Sequence, residues 1–174
     1  TSYLMNPFAR EKKLFLKPDY LIKGDITDID LEMLSRVGIK GLILDLDSTL
    51  VVPHSAELSR EAGAWLEDAC KHFKVAIASN NKDEAYLDQI RQILTIPVIG
   101  KAAKPSRKAF HRLLADFGLS AEQVAVIGDR PLTDIWGGQR AGMKTILVGI
   151  LKCQKEPAWK SRIRNLERVF IRSN

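Results

Sequence analysis

The chain has 174 residues, 45% apolar and 28% charged, with a formal net charge of +6, which fits one globular domain able to bury roughly 70% of its unfolded surface. Its longest apolar runs fall far short of the ~20 residues of a transmembrane helix, no signal peptide is visible, and Cys70 and Cys153 form no CxxC pair and fit structural or incidental thiols in a reducing compartment. Residues 151–174 hold seven Lys/Arg against two Asp/Glu, and residues 1–24 five against two, so the basic charge sits at the two ends and points to an anionic surface as partner.

A basic, aromatic lead-in occupies residues 1–37. It mixes Tyr3, Leu4, Phe8, Leu14, Phe15 and Leu16 with Arg10, Lys12, Lys13 and Lys17, a composition suited to peripheral membrane contact, and Pro7 and Pro18 leave only a short helix between them. Five apolar runs follow: KGLILDL (40–46), KVAIAS (74–79), IPVIG (96–100), QVAVIG (123–128) and MKTILV (143–148). Each has the length and continuity of a parallel strand covered on both faces. Between them, 57–73 places Leu58, Ala62, Trp65, Leu66 and Ala69 on one helical stripe, and 82–94 does so with Ala85, Tyr86, Ile90 and Ile93. A third helix is predicted over 105–118, with Pro105 near its first turn and Gly118 just past its end. The chain closes on a basic amphipathic helix within 152–174, where Trp159, Ile163, Leu166 and Phe170 recur at helical spacing among Lys160, Arg162, Arg164, Arg168 and Arg172. Its apolar stripe faces either the sheet or a membrane surface. Strand–helix alternation predicts an α/β domain spanning 1–174, a Rossmann-like three-layer sandwich with a mainly parallel sheet.

In such sheets, functional residues gather at the carboxyl ends of the strands. Asp45 and Asp47 follow the first run, Ser79, Asn80 and Asn81 the second, Lys104 the third, and Asp129 the fourth, with Asp134 just beyond. Two carboxylates two positions apart share one side of an extended segment, and buried acids need a counter-charge or a metal. Asp129 would complete an all-oxygen site suited to Mg²⁺, which Asp134 could join directly or through a metal-bound water. A carboxylate can also act as nucleophile while a second works as general acid and base. Lys104 would offset the negative charge, and Ser79 with the Asn80–Asn81 segment would donate hydrogen bonds to a phosphoryl group.

DLDSTLV, SNN, KPSRKAF and GDRPLTD, in that order over roughly residues 38–150, resemble the four motifs of the haloacid dehalogenase (HAD) phosphatase superfamily. The resemblance implies that Asp45 is the nucleophile and Asp47 the acid/base. Ser79 and Lys104 would bind the phosphoryl group, and Mg²⁺ would be held by Asp45, the backbone carbonyl of Asp47 and an acid of the fourth motif, Asp129 or Asp134. The lead-in LKPDYLIKGDITDIDLEMLSRVGIK, the SNN triplet and GDRPLTDIWGGQRAGM are similar to the YqeG-like subgroup, which includes phosphatidylglycerophosphate phosphatases. A lipid phosphatase, peripherally membrane-associated on a cytoplasmic, stromal or matrix face, is therefore expected. Ser48 departs from the Asn that many relatives carry there.

HAD enzymes often carry a cap domain after the first or the second motif. Here Asp47 to Ser79 has room for a loop and one helix, and Asn81 to Lys104 for one helix and one strand, so the site is predicted to be capless. An open site suits large or surface-embedded substrates, although a neighbouring chain in an oligomer could cover it. The order of the acids argues against a phospho-receiver module, and the filled motif positions argue against a non-catalytic binding protein. A nucleic-acid partner is not expected, because no interleaved aromatic platform surrounds the motifs. His72 and His111 fall on predicted helices as surface residues, and His54 lies where it could line the mouth of the site.

Overall fold

The computed structural model describes residues 16–155, 158–169 and 171, without the side chains of Trp159, Lys160 and Arg164. The expected aromatic and basic contacts of residues 1–15, Trp159, Lys160, Arg164, Phe170 and Arg172 lie outside the described residues. Among those residues, six strands form one parallel sheet in the order β1-β6-β5-β2-β3-β4. They are β1 (Tyr20–Leu21), β2 (Gly41–Leu44), β3 (Lys74–Ala78), β4 (Val98–Ile99), β5 (Val124–Gly128) and β6 (Lys144–Leu147). The helices are α1 (Leu31–Arg36), α2 (Arg60–His72), α3 (Glu84–Ile93), α4 (Lys108–Phe117), α5 (Trp136–Arg140) and α6 (Ala158–Arg168).

The continuous apolar runs are explained by alternation across the sheet. Leu42, Leu44, Val75, Ile77, Ala125 and Ile127 point into a core shared with α1, α2 and α3. Ile43, Ala76, Ala78, Val124 and Val126 point the other way, onto Ala109, Phe110, Leu113 and Phe117 of α4. Each large apolar side chain so enclosed stabilises the fold by roughly 1.5–3 kcal/mol. The helix starts carry their own signals: Ser59 accepts the N–H of Ala62 at 3.1 Å, and Asp83 that of Tyr86 at 3.2 Å.

The structure corrects several expectations. Leu58 precedes the Ser59 cap rather than joining α2, and α4 begins at Lys108, leaving Pro105 outside it. β4 is a two-residue, half-buried edge strand, and Ile93 is 51% exposed, so this edge is not enclosed as its composition suggested. The described part of the lead-in packs inward: Leu16 is buried, and β1 pairs in parallel with β6 through Tyr20 opposite Ile146. Asp19 secures it, accepting from the Thr145 N–H at 2.9 Å and the Thr145 hydroxyl at 3.1 Å.

The terminal helix turns its polar side to the body of the protein. Glu167 is buried and pairs with Arg130, while Ile163, Leu166 and Val169 are 45%, 66% and 71% exposed. Among the described residues, no helix is long and apolar enough to cross a membrane.

Candidate active site

β2 and β5 are neighbours at the point where the strand order reverses direction, and both end at the same edge. The Asp45 N–H still bonds to the Ile127 carbonyl at 2.8 Å, so the sheet itself positions the first acid. The chain then turns tightly: the Ser48 N–H meets the Val51 carbonyl at 2.8 Å, and Ser48 takes a left-handed φ of 71°. Asn tolerates that conformation better than Ser, which gives a conformational meaning to the departure at this position. Here the Ser48 hydroxyl accepts from the Gln154 side-chain amide at 3.1 Å.

Lys104 enters from the loop after β4 with its side chain 2% exposed. Its Nζ donates to Asp45 Oδ1 at 2.5 Å and to Asp134 Oδ1 at 2.7 Å. Asp134 sits on a π-type turn over Pro131–Ile135, a local widening often found at functional sites. Its other oxygen accepts the Arg130 N–H at 3.1 Å. Gly128 makes this approach possible, since a Cβ there would stand 2.2 Å from Asp134 Oδ2. Thr49, fully buried, places its hydroxyl 3.4 Å from Asp129 and 3.5 Å from Asp45.

Burial is the main influence on the acids. It raises Asp45, against the pull of Lys104 and with added repulsion from Asp129. It pushes Asp134 up to about 6, again opposed by Lys104. For Lys104 burial acts downward, but the attraction of Asp134 and Asp45 outweighs it and the ammonium is held above its ordinary value. One carboxylate oxygen from each of Asp45, Asp129 and Asp134 lies within 4.8 Å of the others. With all three ionised against one ammonium, this group is short of positive charge by the amount a divalent cation carries, and its donors are the hard oxygens Mg²⁺ prefers.

Asp47 faces the other side of the same cleft. Its Oδ1 accepts the Tyr86 hydroxyl at 2.9 Å and its Oδ2 accepts the Asn81 amide at 3.1 Å. The two asparagines therefore have separate tasks. Asn80 clasps the backbone of Lys104, accepting its N–H at 2.7 Å and donating to its carbonyl at 2.9 Å. Ser79 accepts the Asn81 N–H at 3.0 Å. The cleft, about 180 Å³, is lined by Asp45, Asp47, Ser79, Asn80, Asn81, Lys104, Arg130 and Thr133. It thus brings together every residue expected to be catalytic or to bind substrate, while Asp129 and Asp134 lie buried behind Asp45.

Sequence reasoning missed Thr49, Arg130, Thr133 and Tyr86 as site residues. Thr49 and Arg130 lie inside the first and fourth motifs, so adjacency was a usable signal. Tyr86 carried none, because its spacing reads as a core stripe. His54 is exposed, with its ring 5.9 Å from that of Tyr86.

The chain is similar to known proteins. A HAD-hydrolase-like family model matches residues 101–162. The Bacillus subtilis protein named "probable phosphatase YqeG" is 43% identical over 138 residues, covering 79% of this chain and 78% of its own. The chain belongs to the HAD phosphatases, in the YqeG-like group. It is also 31% identical to the chloroplastic phosphatidylglycerophosphate phosphatase 1 of Chlamydomonas reinhardtii, over 87% of this chain but only 60% of that longer protein. The solved HAD-like structure from Mesorhizobium loti superposes with a TM-score of 0.53 over 78% of this chain and 89% of its own, at 14% identity, a likeness of fold alone. This member of the group is a phosphatase with an α/β HAD fold.

Proposed function

We propose that this HAD phosphatase hydrolyses phosphatidylglycerophosphate to phosphatidylglycerol through an aspartyl-phosphate, with Mg²⁺ as cofactor. The observation that carries the chemistry is Lys104, held between Asp45 and Asp134 beside Asp129. Mg²⁺ would be held by Asp45, Asp129 and Asp134, with the backbone carbonyl of Asp47, and when bound it would neutralise the phosphoryl oxygens and the attacking carboxylate. A carboxylate oxygen of Asp45 attacks phosphorus, and the P–O bond to the glycerol oxygen breaks. Asp47, entering protonated, gives its proton to that oxygen, so the alcohol leaves neutral. Asp47, now a carboxylate, takes a proton from water as the water oxygen attacks the aspartyl-phosphate. Inorganic phosphate departs, Asp45 is restored, and Asp47 is protonated again. Lys104 and the Ser79–Asn81 segment orient the phosphoryl oxygens throughout.

Three features support the lipid. The plastid relative is named for this substrate. Only a loop, α2 and β3 lie between Asp47 and Ser79, and only α3 and β4 between Asn81 and Lys104, so neither stretch holds a cap domain. The outward Ile163, Leu166 and Val169, with exposed Arg162 beside them, suit an anionic membrane surface against which each basic residue is worth about 1 kcal/mol. The test is phosphate release from micellar phosphatidylglycerophosphate against sugar phosphates, nucleotides and a 3′-phosphorylated oligonucleotide. Preference for the lipid is expected, and preference for any soluble substrate overturns the assignment.

A further inference from the structure

The contacts of Asp47 reach beyond the four motifs. Asn81 Oδ1 accepts the Asp83 N–H at 3.0 Å, which fixes the orientation of the amide and directs its Nδ2, a group that can only donate, at Asp47 Oδ2. That oxygen is thereby an obligate acceptor. The other, Oδ1, meets the hydroxyl of Tyr86, which is 5% exposed and is the one partner of the two that can either donate or accept. Asp83, whose N–H orients Asn81, also caps α3 by accepting the Tyr86 N–H at 3.2 Å. One helix start therefore supplies both partners of the carboxylate. Lys104, by contrast, bonds to Asp45 and Asp134 and not to Asp47.

We infer that Tyr86 is a positioning residue for Asp47: with Asn81 it clamps the carboxylate by both oxygens, Tyr86 donating to Oδ1 and Asn81 to Oδ2, and holds it in one rotamer. The inference rests on Asp47 being the general acid/base proposed above. A carboxyl group fixed in this way stands in one place for proton transfer to the leaving oxygen.

A general acid matters most when the leaving group is poor, which provides the test. Tyr86→Phe is assayed with an alkyl phosphate and with p-nitrophenyl phosphate, whose leaving group needs little protonation. Expected is a roughly ten- to hundredfold fall in kcat for the alkyl phosphate, with at most about a threefold fall for the aryl phosphate and little change in KM for either. Asn81→Ala should lose activity on both substrates, because the same segment orients the phosphoryl group, but several-fold more on the alkyl phosphate, which keeps the inference testable if Tyr86→Phe fails to fold. Acting through Asp47, Tyr86→Phe should add nothing when combined with Asp47→Asn. Equal losses on both substrates, or a further loss in the double variant, overturn the clamp. The acid/base assignment fails separately, if Asp47→Asn itself leaves alkyl phosphate turnover intact.

Discussion

Asp45 and Asp47 are two residues apart yet form opposite walls of one cleft. The inner wall is ionic: Asp45 and Asp134 meet the buried Lys104, with Asp129 alongside. The outer wall is neutral, built from the phenol of Tyr86 and the amide of Asn81 around Asp47. Environment rather than residue type divides the labour between paired carboxylates. In the proposed mechanism, the carboxylate beside the cation attacks and the one held by neutral donors moves the proton.

The largest expected effect comes from breaking the inner wall at its proposed nucleophile. Asp45→Asn should lower phosphatase activity by roughly 10³-fold or more. It removes a charge repelled by Asp129 and leaves Lys104 with Asp134, so the melting temperature should hold or rise. Steady-state turnover with thermal unfolding checks both, and full activity would end the covalent mechanism. Removing the cation comes next. Lys104→Met strands the buried Asp134 and the partly buried Asp45, at a cost of about 3–5 kcal/mol. The loss of stability should be larger at pH 8 than at pH 5, where Asp45 and Asp134 can accept protons.

The pH dependence sharpens the contrast with a smaller effect. Because burial raises Asp134 to about 6, the folded metal-free protein binds more protons there than the unfolded chain does between about 4 and 6. The stabilisation is present in full below the ordinary aspartate value and is lost as pH rises through about 6. The difference in melting temperature between the native protein and Asp134→Asn should fall across that window and flatten above it. Mg²⁺ should raise the melting temperature most above the window, where its ligands are ionised. A difference that grows with pH would contradict the buried-acid account.

The central strands were legible because a strand enclosed on both faces must be apolar throughout, as Leu42, Ile43 and Leu44 are. β1 was not legible: two residues in a mixed basic and apolar lead-in become a strand only because β6 offers them an edge. β4 was read as enclosed, yet nothing in its own residues says that, among the described residues, no further strand lies beyond it. The amphipathic helices teach the same lesson. α4 buries Phe110 and Leu113 because the sheet faces them, whereas α6, of similar pattern, turns Leu166 outward and buries Glu167 because Arg130 is its partner.

By itself, the amino-acid sequence determined the order of β2 to β6 with α2, α3, α4 and α6, and which chemical groups stand at the strand ends, since both follow from local periodicity and from the cost of placing acids in apolar runs. Only the tertiary structure decided which of those groups meet. Lys104 reaches Asp45 across 59 residues and Tyr86 reaches Asp47 across 39. Hydrogen bonds and ion pairs act over about 3 Å, and only a folded sheet brings such distant positions within that range.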